Sequence, residues 1–355
     1  MNLHSIATAI SRPGVSAALG AALLFGGGTP LAKALLAGID PWLLAGLLYL
    51  GSGLGLTLVR ALRSAPARAR LARGEWRWLA LAVAFGGVAG PVLLMVGLVG
   101  MPASGAALLL NAESVFTAVI AWVVFRENVD RRVFIGMVAI VAGTVFLSWP
   151  GRAGFGDMLP ALAVLGACLC WGIDNNLTRK VSLADAGWIA SVKGLCAGAT
   201  NLVLALAFGA AWPAWPAVGG ALVVGFVAYG VSLVLFVVGL RHLGTARTGA
   251  YFGVAPFFGA LLAVLALDET VTLQLTIAGA LMALGVWLHL TEQHEHEHLH
   301  EGLAHEHEHM HDEHHQHDHT EATPPDIKHS HRHRHEPMTH RHPHFPDAHH
   351  RHEHD

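Results

Sequence analysis

Ten long apolar runs, strung through most of the chain, limit its possible folds more than any other feature. They lie at 15–37, 42–62, 78–99, 103–125, 133–149, 158–177, 186–209, 217–239, 246–267 and 271–290. A hydrocarbon core of about 30 Å is crossed by about 20 apolar residues in a helix, which is the scale of these runs. They are rich in Ala, Leu, Val and Gly and do not alternate with period two, so the short strands of a transmembrane barrel are not indicated. Backbone groups in lipid must bond within their own segment, which leaves helices. The sequence therefore predicts an all-α polytopic membrane protein of about ten transmembrane helices. The first run is read as a span and not as a cleaved signal, because its positive flank is only Arg12 and Lys33 lies inside it.

Charge supports the same count. Only 13% of residues are charged, against about 25% in soluble domains, and much of that charge follows Thr291. With a cytoplasmic N-terminus, the even loops are cytoplasmic. They hold Arg60, Arg63, Arg68, Arg70, Arg73 and Arg77, then Arg126, Arg131 and Arg132, then Arg179 and Lys180, then Arg241 and Arg247. The odd loops hold Arg152 alone. This positive-inside asymmetry predicts a multi-pass protein of the cytoplasmic (inner) membrane with both termini in the cytoplasm. No P-loop or nucleophile–base set points to an ATP-driven pump or an enzyme, and no nucleic-acid partner is expected. Cys168, Cys170 and Cys196 fall inside apolar runs without a CxxC pair and read as inert thiols.

The chain also repeats itself at a spacing of about 142–147 residues. Phe25-Gly26 with Lys33 matches Trp171-Gly172 with Lys180. Asp40 and Trp42 match Asp185 and Trp188. Ser114-Val115-Phe116 matches Pro256-Phe257-Phe258, and Glu127-Asn128-Val129 matches Glu269-Thr270-Val271. Gly136 and Gly143 match Gly279 and Gly285. The expected units are residues 1–150 and 151–290, each of five spans, followed by a tail over 291–355. An odd number of spans makes the second copy enter from the opposite side, an inverted repeat of the kind secondary transporters place around a midplane site.

In these residues the sequence resembles the drug/metabolite transporter superfamily, EamA-like branch, over about 15–290. The best-matched stretch is Ser104–Leu147, holding Ala112-Glu113-Ser114-Val115-Phe116-Thr117, then Glu127, Gly136 and Gly143. The family pattern is similar to an E-P-x-F turn inside a span, a Glu at its end and a Gly-rich following helix. The second copy keeps Pro256, Glu269 and Gly285, and Trp171-Gly172 fits its opening. Two departures stand out: Ser114 replaces a frequent proline, and the arginine often found near Leu47–Tyr49 is missing, with Lys193 at the related place in the second copy. The resemblance implies helices 1–4 and 6–9 around a cavity, helices 5 and 10 at the periphery and open to homodimer formation, and movement of small organic molecules, often outward.

Polar residues inside the spans are the candidate substrate pathway, since a charge at the bilayer centre costs about 2.5–3.5 kcal/mol on insertion scales. Glu113 is the sharpest of them, a cavity or coupling carboxylate, or else a structurally paired acid. Thr117, one turn on, shares its face. Asn111 joins the list on a different wall, about 200° around the helix. Lys193 is a counter-charge for Glu113 or for an anionic substrate, and could equally snorkel, like Lys33. Asp174, with Asn175 and Asn176, lines the pathway or marks a wet helix end. Asn201 lines it or bonds a neighbouring helix. Trp171 opens the second copy, and Pro256 frees a carbonyl in the ninth span or simply kinks it. Glu127 and Glu269 are read as structural, capping the next helix or pairing with Arg131.

The tail changes composition abruptly, holding 23 of the 26 histidines. Imidazole alternates with carboxylate through His294, His296, His298, His300, His305, His307 and His309, and His311, His314, His315, His317 and His319 follow. Such a segment cannot bury a core and is expected to be disordered without ligand. Neutral imidazole suits Ni, Co, Zn or Cu, so the tail is expected to bind divalent metal; proton buffering is the alternative. No cofactor is expected for transport itself. Three functions compete: a secondary exporter of a small metabolite or drug-like compound with a regulatory tail, a divalent-metal efflux carrier fed by the tail, and a membrane metal sensor that transports nothing.

Overall fold

The computed structural model describes residues 13–62, 71, 74–125, 131–149, 158–181, 185–243, 248, 251–290, 295–300, 304–309, 329–334 and 338–343. The residues up to Glu292 form one compact unit and those from Gln293 a second.

Helices occupy the ten apolar runs. They are α1 (Pro13–Leu35), α2 (Pro41–Leu62), α3 (Trp76–Gly100), α4 (Ala103–Leu109), α5 (Ala112–Phe125), α6 (Arg131–Ser148), α7 (Leu159–Arg179), α8 (Ala186–Ala207), α9 over 215–243, α10 (Ala255–Ala266) and α11 (Leu273–Leu290). Six helical stretches among the described residues are long and apolar enough to cross a membrane: Gly14–Leu35, Pro41–Leu62, Trp76–Gly100, Ala103–Val124, Gly187–Ala207 and Trp215–Phe236. Phe134–Ser148, Ala255–Ala266 and Leu273–Leu288 are shorter apolar helices. The outer surface is apolar in the same way: Leu58, Val123, Val124, Val203 and Leu265 are all exposed. In water such a surface would drive aggregation; in lipid it is the expected exterior.

Local chemistry sets the helix ends. Asp40 starts α2, its carboxylate accepting from Trp42 N (2.9 Å) and Leu43 N (3.2 Å). Asp185 starts α8 in the same manner, accepting from Trp188 N (2.7 Å). Each carboxylate satisfies amides that have no partner inside the helix. Glu269 caps α4, its two oxygens accepting from Ala103 N (2.7 Å) and Ser104 N (2.9 Å). It therefore reaches back across the chain to the fourth run and does not cap the next helix, where Thr272 Oγ1 accepts from Leu275 N (3.1 Å). Asp268, with φ 51°, makes the left-handed step just before it. Lys33 does not snorkel outward. Its ammonium caps the end of α3, donating to the carbonyls of Leu98 and Met101. Glu127 lies outside the described residues.

The repeats are interleaved. Along α2 and α8, Gly46 meets Leu202 while Gly53 meets Gly194 and Leu195, so these equivalent helices run antiparallel. Along α6 and α11, Gly143 meets Ala278 and Met282 while Gly285 meets Gly136 and Ile140, again antiparallel. Equivalent helices pointing in opposite directions are what an inverted repeat requires. Two crossings are equally matched. A Cβ on Gly26 would come within 2.3 Å of Ala255 O and 3.1 Å of Phe258 Cβ. One on Gly172 would come within 2.9 Å of Phe116 Cβ and 3.0 Å of Thr117 N. Glycine at these two places lets α1 press on α10 and α7 on α5.

Both copies carry the same irregularities. α3 contains a π-helical turn at Val83–Ala89, and α9 contains one at Gly225–Val231, 142 residues on. The fourth run breaks at Leu110–Asn111, between α4 and α5, and the ninth turns at Gly253–Val254, just before α10.

In the second unit, β1 (Glu295–His300) pairs antiparallel with β4 (Met338–Pro343), and β2 (Ala304–His309) with β3 (His329–Arg334).

Candidate functional site

The break in the fourth run puts Glu113 in the first turn of a half-helix. The amides of that turn close on the break itself, Glu113 N donating to Leu110 O (3.0 Å) and Ser114 N to Asn111 O (3.2 Å), and the positive end of the helix favours a carboxylate there. Ser114, standing where Pro256 stands in the second copy, turns its hydroxyl back to Asn111 O (2.7 Å). A hydroxyl that holds the preceding carbonyl ties the break together where proline is missing. Pro256 itself lies in the first turn of α10. Its missing amide costs nothing at that position, so it starts a half-helix and does not kink a continuous one.

Facing Glu113 across the α5–α7 contact are three consecutive polar residues of α7, Asp174, Asn175 and Asn176, with Thr178 two positions beyond. Asn175 Nδ2 donates to Glu113 Oε1 (2.8 Å) and to Thr117 Oγ1 (3.2 Å). Asn176, buried, donates to Thr117 O (3.1 Å) and Gly172 O (2.9 Å). Asp174, also buried, accepts from Lys193 Nζ at both oxygens (2.6 and 2.7 Å). Thr178 Oγ1 takes a further Lys193 hydrogen bond (3.2 Å) and donates to Asp174 Oδ1 (2.9 Å). Lys193 is thus the counter-charge of Asp174, not of Glu113. The two groups lie on adjacent helices, and pairing them leaves fewer charges exposed to the apolar interior. Nor are Asp174 and Asn176 a wet helix end, with 8% and 5% exposure.

The π-turn of α3 completes the arrangement. Gly86 O accepts from Tyr49 Oη (2.7 Å) and Trp171 Nε1 (2.9 Å), and Gly87 O accepts from Asn201 Nδ2 (3.0 Å). A π-turn shifts the backbone ladder and offers carbonyls to side chains. Gly86 is also where α7 comes closest: a Cβ there would lie 2.0 Å from Asp174 Oδ2. Around this point the rings of Phe25, Tyr49, Trp171, Tyr229 and Phe252 form a cluster of edge-on and tilted contacts, with centroid separations of 5.2–6.5 Å.

Of the expected pathway residues, Glu113, Thr117, Asp174, Lys193 and Trp171 come together here. Asn201, fully buried, holds the π-turn from behind. Asn111 turns away, donating to Leu108 O (2.9 Å) and Met282 Sδ (3.9 Å). Asn175, named in the sequence beside Asp174, supplies the bond to Glu113; Tyr49, Tyr229 and the Gly86 carbonyl are contributors that sequence reasoning passed over. Tyrosine was the available signal: the chain has three, and Tyr49 and Tyr229 touch at 5.6 Å. The expected tail ligands His294, His311, His314, His315, His317 and His319 lie outside the described residues. Among the described residues no group of three or more His, Cys, Asp or Glu assembles into a metal site.

Fold and site together define a multi-pass membrane protein with two inverted copies of one helical unit and a polar, aromatic-walled site where the copies meet. The model of the EamA-like transporter family matches residues 12–149 and again 158–291, and the chain belongs to that family. An uncharacterized transporter of Methanothermobacter thermautotrophicus is 28% identical over 287 residues, spanning 76% of this chain and 83% of that protein. A probable 4-amino-4-deoxy-L-arabinose-phosphoundecaprenol flippase subunit ArnE of Pseudomonas fluorescens is 34% identical over 107 residues, 30% of this chain and 91% of that protein. A solved structure titled only as the crystal structure of a protein superposes with a TM-score of 0.59 at 19% identity, covering 77% of this chain and 95% of that one. That likeness shows the fold. The chain is a membrane transporter of this family.

Proposed function

We propose that this transporter is a secondary carrier exporting a small metabolite or drug-like compound across the cytoplasmic membrane, with both termini cytoplasmic and a metal-binding regulatory tail. The observation that carries the reading is Glu113 at the start of a half-helix, between the two copies and bonded to Asn175 of the second. Broken helices at a repeat interface put a charged group and free backbone where a substrate can be held. The arginine asymmetry supports the orientation, and the tail's histidine content supports metal binding.

The test compares cells expressing the full chain, Glu113→Gln, and the chain cut after Leu290. Metabolites in the medium are profiled, and Ni, Co, Zn and Cu accumulation is measured. Export of an organic compound that needs Glu113 and survives the cut is the expected result, with metal binding to the purified protein lost on truncation. Normal export by Glu113→Gln at equal membrane abundance would sink the role of that carboxylate. Divalent-metal efflux is the second reading, favoured by the tail alone; it predicts lower metal accumulation that depends on both Glu113 and the tail.

A further inference from the structure

The geometry points to an organic cation as the substrate class of the Glu113 site: a compound with an amine, quaternary ammonium or similar centre and an apolar body. This rests on the transporter reading above and narrows it. The site holds two carboxylates and one ammonium. Lys193 donates to both Asp174 oxygens and to Thr178 Oγ1, which uses the three donors an ammonium has. No donor is left on it for an anionic substrate. Among the described residues, the Glu113 carboxylate is hydrogen-bonded by the neutral amide of Asn175. Both residues are accessible: Glu113 is half-buried and Asn175 exposed. A carboxylate in an apolar interior gains most from a cation brought to it.

The walls suit the same ligand. Trp171 lies one helical turn before Asn175 on α7, so the two share a face. Its ring meets Phe25 edge-on at 6.5 Å, and Phe25 meets Tyr229 and Phe252. Aromatic faces attract an organic cation once water is removed. A bare transition-metal ion would instead want several imidazole or thiolate ligands.

The experiment titrates purified full-length protein in detergent with tetraphenylphosphonium, and separately with benzoate, by calorimetry. Saturable tetraphenylphosphonium binding is expected, about tenfold weaker in Glu113→Gln and largely kept in Glu113→Asp. Trp171→Phe keeps a π-face and should bind far better than Trp171→Leu. Monodisperse elution of each variant excludes misfolding. Equal tetraphenylphosphonium binding by wild type and Glu113→Gln, or preference for benzoate, overturns the inference. If Glu113-dependent export of a neutral or anionic compound is then seen, the transporter reading stands without it; with neither binding nor Glu113-dependent export, both readings fall.

Discussion

At the scale of single residues, the site is governed by which charges find partners. Asp174 and Lys193 are nearly buried, with side-chain exposures of 11% and 12%, and their pairing removes two isolated charges from the interior. Breaking one side of such a pair strands the other. Lys193→Met is therefore expected to lower stability by about 3 kcal/mol or more, read as a fall in the midpoint of thermal unfolding in detergent. Asp174→Asn in the same chain should restore much of it, and a double mutant no more stable than the single would show that the pair is not coupled. Glu113 is the contrasting case, because among the described residues its carboxylate is hydrogen-bonded by the Asn175 amide and not by a cation. Its position was legible as a charged residue deep in a run. Its partner was not, because α5 and α7 meet only in three dimensions.

Among the elements, the irregular turns matter most. Two π-turns and two broken runs recur at matching places in the two copies, and the π-turn of α3 offers the Gly86 and Gly87 carbonyls to side chains. Gly86 shows how tightly they are set. Gly86→Ala would push a methyl group into Asp174 held by Lys193, so transport should fall sharply while Gly74→Ala, which meets nothing within 4 Å, should leave it unchanged. The Glu269 cap is a second element-scale device. Glu269→Ala removes two charge-assisted bonds from the start of α4 and should cost about 1–2 kcal/mol, measurable as a lower unfolding midpoint, with Glu269→Gln between it and wild type.

On the scale of the whole molecule, the inverted copies are alike in fold and unlike in their lips. Arg60, near the end of α2, pairs with the Asp185 cap of α8. The equivalent place near the end of α8 is Ala205. There the Asp40 cap of α2 faces a cavity of about 250 Å³ lined by Asp40, Trp42, Ala205, Phe208 and Ala210. One end of the α2–α8 seam is tied by an ion pair and the other is open. Ala205→Arg would place a cation beside Asp40 and tie both ends. Slower transport is the expected outcome, relieved by adding Asp40→Asn; an unchanged rate would show that the seam does not move during transport.

The sequence by itself determined the membrane setting, the ten helical runs and the duplication, because lipid admits so few backbone arrangements that length and apolarity nearly specify the answer. It also marked Glu113, Asp174 and Lys193 as costly where they stand. Only the tertiary structure decided who pairs with whom: Lys193 with Asp174, Glu113 with Asn175, Tyr49 and Trp171 with one carbonyl of a π-turn. Those choices depend on antiparallel helices crossing at glycines far apart in the chain. Helical periodicity carries the face of a residue but not the neighbour that will meet it.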